Sequence, residues 1–286
     1  MSDWYLMVCA LTVGVLAGAL MWLLLRLLLA LAARWPGAKP FAADILNLPG
    51  ARAAQAVRAT RDALLALAAA PLAAGIAAAL WYLAQPPAWQ GAWQYGLFGA
   101  AALLIAAWGA YLWRGVRALR AAQFAARAHA ALGFALQRLA LKGQRVFHDV
   151  ALGKEHADHI VVGSRGVFVV QGIARPEQAK ADAVRLHKRQ LQFQDGVSNR
   201  VIASQAERAA RQLGELCSRK LGHKINVRAV IAVPGWRIVQ GDDAELLVVN
   251  EKNIVMLPSM ARPADHLMDE DALAIHEALI AVSRGK

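Results

Sequence analysis

The chain has 286 residues, of which 58% are hydrophobic and 18% are charged, and its formal net charge is +12. Globular domains usually carry about a quarter charged residues, so this composition excludes a disordered chain, a small disulfide scaffold and an ordinary soluble enzyme. Hydrophobicity combined with basicity predicts a membrane protein with a charged cytosolic part.

Long uncharged segments predict three N-terminal transmembrane α-helices in a membrane domain over residues 1–120. The first segment covers about 4–25, and a longer one covers 63–113, where no Asp, Glu, Lys or Arg occurs. Pro86 and Pro87 divide the longer segment into helices near 63–84 and 95–113, because two prolines deny the backbone a helical path. A cleaved signal peptide is the alternative for the first segment, but an acidic residue stands where a basic n-region belongs.

The distribution of basic residues predicts the orientation of these helices. Short loops rich in Lys and Arg stay in the cytoplasm. The loop over 34–62 and the stretch after Arg114 are basic, whereas the N-terminus and the loop with the two prolines hold no Lys or Arg. We therefore expect a multi-pass protein of the inner (plasma) membrane of a bacterial-type cell. The lipid bilayer would be its partner, with the N-terminus outside and the C-terminal domain cytoplasmic.

The rest of the chain, residues 121–286, predicts a cytosolic α/β domain. The pattern changes from helical to alternating after Leu141, and Gly163-Ser-Arg-Gly166 is typical of a hairpin turn. The predicted elements are a helix to about 141, strands near 145–150, 159–162 and 166–170, a polar basic stretch over 175–200, an amphipathic helix over 202–216, a buried strand over 227–233, short strands near 245–250 and 253–257, and a last helix from about 269.

Several segments of this domain carry a family resemblance. Residues 146–150, 157–163 and 166–170, with Gln205-Ala206 and Val233-Pro-Gly-Trp236, resemble the NERD family, the nuclease-related domain, in a membrane-anchored member. The resemblance covers about 121–258. It implies a restriction-endonuclease-like fold with an αβββαβ core, in which a divalent metal lies beside a phosphodiester.

The same resemblance implies a set of site residues. The family pattern has an acid at the start of the second strand, a Glu-x-Lys at the end of the third strand and a glutamate on the first helix. Here the acid is Asp158, the Glu-x-Lys reads Gln171-Gly172-Ile173, and the helical glutamate falls near His129. Carboxylates hold hard cations, and an amide oxygen binds them less well. The resemblance therefore implies Asp158 and Gln171 as catalytic residues and as ligands of a weak Mg²⁺ site.

The segment His156-Ala-Asp-His159 also suggests metal binding, since it places two imidazoles and a carboxylate within four residues. In an extended strand, however, His156 and Asp158 share one face and His159 points to the other, so these three cannot converge on one ion without a bend. The alternative for Asp158 is that it caps a turn or pairs with a nearby arginine.

The basic stretch over 175–200 suggests a nucleic-acid surface, because Lys and Arg neutralise phosphates. An equal alternative is a solvated loop that faces anionic lipid. The residues that would contact nucleic acid are Arg175, Lys180, Lys188, Arg189 and Arg200.

Two functional hypotheses follow. In the favoured one, a nuclease-like domain with weakened or lost catalysis binds nucleic acid or a protein partner at the inner face of the membrane. In the other, the protein is an active, Mg²⁺-dependent, membrane-tethered nuclease that hydrolyses phosphodiester bonds in DNA or RNA. Ile173 separates them, because a reactive site needs a cation at that position. Whether the chain is an enzyme and whether it forms homo-oligomers are left open.

Overall fold

The computed structural model describes residues 22, 23, 27, 49–65, 67, 93–175, 182–239 and 245–284. The chain divides into two compact units. The first contains Met1–Pro36 and Gln55–Ala122, and the second contains Gly37–Ala54 and Gln123–Lys286. The α/β domain lies in the second unit.

Two helices dominate the described part of the first unit. Helix α1 covers residues 51–65 and helix α2 covers Trp93–Ala140, and both continue across the boundary between the units. Leu64 of α1 packs with Leu112 and Leu119 of α2. Gly115 permits this approach, because a Cβ at that position would lie 2.3 Å from Leu64 Cδ2.

The prediction of three transmembrane helices ahead of the α/β domain is wrong. Among the residues that the structure describes, no helix is both long and apolar enough to cross a membrane. All but a few residues of the predicted spans near 4–25 and 63–84 lie outside the described residues. The third span, 95–113, lies within α2, which continues without a break through Arg114, Arg117 and Arg120. The apolar stretch is therefore one end of a longer, basic helix.

The predicted localisation is corrected together with the spans. An inner-membrane assignment with the N-terminus outside requires spanning helices, and the described ranges contain none that meets this requirement. The basic residues after position 113 belong to α2 itself. Their position next to an apolar segment therefore does not establish an orientation.

Nine strands and two further helices build the α/β domain within the described residues. The strands are β1 (Arg145–Leu152), β2 (Glu155–Gly163), β3 (Gly166–Gly172), β4 (Ala183–His187), β5 (Gln190–Phe193), β6 (Ser198–Asn199), β7 (Val227–Ala232), β8 (Arg237–Val239) and β9 (Leu247–Val249). The helices are α3 (Val201–Leu221) and α4 (Asp269–Arg284), and short 3-10 helices cover Ile254–Met260 and Pro263–Asp265.

The central sheet has five strands in the order β1-β2-β3-β7-β9. The pairs β1/β2 and β2/β3 are antiparallel, whereas β3/β7 and β7/β9 are parallel. Gly163 pairs with Gly166, so the predicted hairpin turn closes β2 and β3 with two residues between them. Helix α3 provides the crossover from β3 to β7 that a parallel pair requires.

Both faces of this sheet are buried, which explains its nearly continuous apolar strands. Phe168 and Val170 of β3 pack with Leu132 and Leu136 of α2 on one face. On the other face, alternate residues of the same strands pack with the apolar stripe of α3 and with α4. Helix α3 ends at Gly222, whose left-handed conformation (φ of 78°) lets its N–H bond to Ser218 O.

The basic stretch predicted over 175–200 contains β4, β5 and β6, which form a second sheet with β8 in the order β6-β5-β4-β8. Its inner residues join the main core, including Leu191 and Phe193. Phe193 lies edge-on to Trp236, with ring centroids 4.7 Å apart. The predicted strand at 253–257 is instead a 3-10 helix.

Core packing by α3 predicts a large stability effect for one leucine and not for another. Leu213→Ala should lower the free energy of unfolding by about 2–5 kcal/mol, because Leu213 is fully buried and its removal leaves a cavity. Leu141→Ala is the matched control, since Leu141 is 89% exposed. Urea unfolding of the full chain measures both. Equal shifts for the two variants would contradict the packing described for α3.

Candidate metal centre

In strands β1 and β2, the regular alternation of side chains between the two faces of the sheet is interrupted at the same position of the pair. His148 pairs with His159 and Val150 pairs with Ala157, which brings Asp149 level with Asp158. Asp149 has a φ of 53°, in the left-handed region that residues other than glycine adopt infrequently. This bend displaces the regular alternation and turns neighbouring polar residues of both strands towards the same place.

Three side chains converge at this bend. Asp149, His156 and Asp158 each offer a ligand atom, and these atoms lie within 4.8 Å of one another. His156 lies between the two carboxylates. Its Nε2 is 3.3 Å from Asp149 Oδ1, and its Nδ1 is 3.7 Å from Asp158 Oδ1. This is a group of mixed oxygen and nitrogen donors that could hold a metal ion.

Backbone N–H groups fix the outer oxygen of each carboxylate. Asp149 Oδ2 accepts a hydrogen bond of 3.0 Å from the N–H of Arg52, in the first turn of α1. Asp158 Oδ2 accepts one of 2.8 Å from the N–H of Gly172, at the end of β3. In each aspartate the other oxygen, Oδ1, faces His156. A helix N-terminus favours negative charge, so the start of α1 suits a carboxylate at this position.

His129 of α2 completes the surroundings of Asp158. Its Nδ1 lies 3.7 Å from Asp158 Oδ2. Gly172 makes room for this imidazole, because a Cβ there would come within 2.9 Å of two atoms of the ring. A cavity of about 230 Å³ opens beside these groups, and its lining includes His129, Asp149, Asp158 and Arg52.

Asp158 is ionised at neutral pH. Burial raises the pKa of this carboxyl, but the hydrogen bond from His156, the charge of His129 and the N–H of Gly172 together lower the pKa below its usual value. The carboxylate is therefore held in the form that binds a cation.

His148 and His159 form a buried pair beneath the triad. Their Nδ1 atoms are 2.7 Å apart, so one ring donates the proton and the other accepts it. Burial lowers the pKa of His148 from 6.5 to about 4. Burial and the charge of His148 lower the pKa of His159 well below 6.5. Both rings are therefore neutral at pH 7.

The structure separates the two residues that the resemblance paired with Asp158. Gln171 is buried beside the site, and its side-chain amide donates a hydrogen bond to the backbone carbonyl of His156. Its role as a ligand stays a prediction. Ile173 packs against the main core, so this position provides no cation to the site.

The predicted nucleic-acid residues lie away from the lining of this cavity. Arg175 forms an ion pair with Asp195, and its guanidinium lies 4.4 Å from the centroid of the Phe193 ring. Lys188 and Arg189 are exposed at the turn between β4 and β5, and Arg200 is exposed before α3. Arg189 pairs with Glu207 and Glu245. Lys180 lies outside the described residues. The basic side chain that lines the cavity is Arg52.

Sequence reasoning missed Asp149. His156, Asp158 and His159 do not converge on one point. The third member of the triad, beside His156 and Asp158, is Asp149 from the neighbouring strand. A carboxylate next to a histidine in an otherwise apolar strand was the available signal. His129, near which the family pattern has its helical glutamate, lies beside Asp158.

Comparison with known proteins supports the resemblance over part of the chain. Residues 125–234 match the model of the NERD family, described as the nuclease-related domain. This range contains His129 and all three members of the triad. Searches of curated proteins and of solved structures gave no match. The class indicated by the matched segment is therefore a nuclease-related domain.

The buried pair predicts a pH dependence of stability. The unfolded chain protonates His148 with an ordinary pKa near 6.5, but the folded chain resists protonation until about pH 4. Below pH 6.5 the unfolded state binds more protons, so stability falls with pH, by up to about 3 kcal/mol for this residue.

Urea unfolding between pH 7 and pH 4 tests this dependence. His148→Asn should reduce the loss of stability across this window, because the titrating group is gone. His223→Ala is the control, since His223 has a side chain that is 53% exposed. If His148→Asn and the wild type lose stability equally, burial of a neutral His148 is refuted.

Proposed function

We propose that residues 125–234 form a nuclease-type domain that uses a divalent cation held by Asp149, His156 and Asp158 to bind the phosphodiester backbone of nucleic acid. One observation carries the proposal: these three side chains converge within 4.8 Å inside the segment that matches the nuclease-related domain. The favoured sequence hypothesis, nucleic-acid binding with weakened catalysis, agrees with this proposal.

The residues present fit a divalent cation. Two carboxylates supply negative charge, and each keeps one oxygen directed towards His156. Nε2 of His156 is buried and has no hydrogen-bond partner among the described residues. It lies 3.3 Å from Asp149 Oδ1, and a cation bound by both atoms would give this nitrogen a partner. When bound, the cation supplies Lewis acidity to a phosphate oxygen or to a water.

The cavity leaves room for a phosphate beside the triad. Its volume of about 230 Å³ exceeds the space of a few water molecules. Arg52 borders it with an exposed side chain, and its backbone N–H belongs to the first turn of α1. Helix N-termini and arginines both favour phosphate. The entrance of the cavity therefore suits an anionic ligand once a cation offsets the two carboxylates.

The exposed basic residues of the second sheet support a longer contact with nucleic acid. Lys188 has a positive φ of 48° and stands at the β4/β5 turn, and Arg200 is exposed at the start of α3. Such residues add affinity through phosphate contacts that weaken as salt rises. Arg175 contributes differently, because its ion pair with Asp195 and its contact with the Phe193 ring hold its guanidinium against the second sheet.

Hydrolysis of the bound phosphodiester is the second candidate function. The observation that favours it is His129, whose imidazole lies at the cavity beside Asp158. An imidazole there can accept a proton from an attacking water. Ile173 argues against efficient catalysis, because it packs in the core where the family pattern has a lysine.

A binding assay tests the proposed function. Full-length protein should bind fluorescently labelled single-stranded or double-stranded DNA or RNA more tightly with a divalent cation than with chelator, by at least about tenfold. Asp158→Asn should remove most of this gain, because it removes the charge that holds the cation. The measurement is fluorescence anisotropy with Mg²⁺, Mn²⁺ or Zn²⁺ at several salt concentrations.

Two controls make this assay decisive. Lys188→Ala combined with Arg200→Ala should lower affinity with and without metal and should reduce the salt slope by about one to two units. Lys252→Ala, on an exposed residue outside both regions, should have no effect. Binding that is absent, or that is independent of both metal and Asp158, would refute the proposal.

Gel analysis of the same mixtures separates binding from hydrolysis. Metal-dependent cutting that is lost in both Asp158→Asn and His129→Ala would establish the second candidate. Binding without cutting would leave the domain as a binding module. The two functions are therefore distinguished by one set of samples.

A further inference from the structure

We infer that a second cavity, between helix α3 and the start of strand β7, binds a small, multiply phosphorylated molecule of about nucleotide size through basic side chains and without a bound cation. The volume of this cavity is about 730 Å³. Ligand pockets typically have volumes of about 300–1,000 Å³. No described residue lines both this cavity and the one beside the triad. The inference is therefore independent of the proposed function.

The second cavity and the triad lie on opposite faces of the central sheet. His129 of α2 borders the triad, whereas Arg211 and Ser218 of α3 line the second cavity. Helix α2 packs on one face of the sheet and α3 on the other. A ligand in the second cavity would therefore not contact the groups that hold the proposed cation.

Basic side chains from several parts of the chain line this cavity. They are Arg189 from the β4/β5 turn, Arg211 from α3, Lys224 from the segment before β7, Arg228 from β7 and Arg262 from the segment before the last 3-10 helix. Arginine and lysine both bind phosphate, and the planar guanidinium of arginine can contact two phosphate oxygens at once. Several such groups around one cavity suit a ligand with more than one phosphate.

Most of the acidic side chains in the lining already contact basic groups. Glu207 and Glu245 each form an ion pair with Arg189. Asp265 is buried, and its Oδ2 lies 3.8 Å from Nη1 of Arg228. With all ionisable groups counted, the lining holds more basic than acidic side chains. The cavity therefore favours an anion over a cation.

Arg228 is the buried member of this basic group, and contacts fix its orientation. Its side chain is 8% exposed, and its Nη1 donates a hydrogen bond of 2.7 Å to the carbonyl of Met260. A buried charge is costly unless it is hydrogen-bonded and paired, and here Met260 and Asp265 meet both requirements. Arg228 therefore presents a guanidinium that is already in place before a ligand arrives, which reduces the entropy lost on binding.

Arg262 adds a second positive charge near Arg228. Burial and the charge of Arg262 lower the pKa of Arg228, and the charge of Asp265 raises it. Arginine nevertheless stays protonated at neutral pH. The two guanidinium groups therefore repel each other, and an anion that contacts both would offset this repulsion.

Hydrogen bonds hold the walls of the cavity together. Ser218 Oγ accepts a hydrogen bond of 3.0 Å from the N–H of Ile225. The side-chain amide of Asn226 donates one of 2.9 Å to the carbonyl of Ala264. These bonds connect α3, the segment before β7 and the 3-10 helix at Pro263–Asp265. The cavity is therefore already formed in the absence of a ligand, as most small-molecule sites are.

Apolar side chains also line the cavity and favour a ligand with an organic part. They include Ile225, Val227, Ala229 and Leu246. Inorganic phosphate would use the basic side chains alone, whereas a nucleotide would also place its sugar and base against this apolar wall. The volume, the apolar wall and the basic side chains together indicate a phosphorylated molecule of the nucleotide class.

Isothermal titration calorimetry of the full chain, with chelator present throughout, tests the inference. ATP should bind in the absence of metal. Adenosine, which has the same base and sugar but no phosphate, should bind at least about tenfold more weakly, because charge-assisted hydrogen bonds are the strong ones. Inorganic tripolyphosphate should compete with ATP. Absence of ATP binding, or equal affinity for ATP and adenosine, would overturn the inference.

Matched pairs of substitutions test whether ATP binds in this cavity. Arg211→Ala combined with Arg262→Ala should weaken ATP binding by at least about tenfold. Both residues are exposed, so the fold should be kept, and circular dichroism checks this. Arg219→Ala combined with Lys220→Ala removes the same charge from exposed residues of α3 outside the lining and should leave ATP affinity unchanged. Equal weakening by the two pairs would refute the inference.

Two further measurements separate this inference from the proposed function. Asp158→Asn alters the triad and should leave ATP affinity unchanged, so a loss confined to this variant would place the nucleotide at the triad and refute the inference. Labelled nucleic acid is the other probe. Loss of nucleic-acid affinity in the variant that lacks Arg211 and Arg262, without ATP binding by the unmodified chain, would assign the cavity to nucleic acid and also refute the inference.

Discussion

Burial of both faces of the central sheet is the constraint on which the rest of the α/β domain depends. Helix α2 covers one face, and α3 with α4 covers the other, so strands β3 and β7 consist largely of apolar residues. A polar side chain in such a sheet must find partners within the protein, because water does not reach it. Five ionisable residues of β1 and β2 therefore gather at one level and contact one another: His148, Asp149, His156, Asp158 and His159.

The bend at Asp149 makes this gathering possible. A residue other than glycine with a φ of 53° stores strain, and such strain is found most often at functional sites. The N–H of Arg52 offsets part of the cost by holding the Asp149 carboxylate at the start of α1. Beneath this site, His148 and His159 share one hydrogen bond and stay neutral. The result is a triad with two carboxylates next to a pair of neutral imidazoles.

Much of the α/β domain was predictable, because its elements follow from local patterns. The hairpin at 163–166, the apolar stripe of α3 and the buried strand β7 were all identified from periodicity and turn residues. The second sheet was missed because its strands are short and carry exposed charges, such as Arg185. The transmembrane prediction was wrong because no helix among the described residues is long and apolar enough to cross a membrane, and the third apolar run is one end of the longer helix α2.

The sequence by itself determined the α/β class of the domain and its resemblance to a nuclease-related domain, and it indicated Asp158 as a candidate site residue, since all three depend on patterns within short segments of the chain. Only the tertiary structure brought Asp149 to His156 and Asp158, because their convergence requires the ladder register of β1 and β2 and a bend that alternation excludes. It also brought His129 to Asp158 across the sheet. The convergence of these donor atoms is a property of this packing.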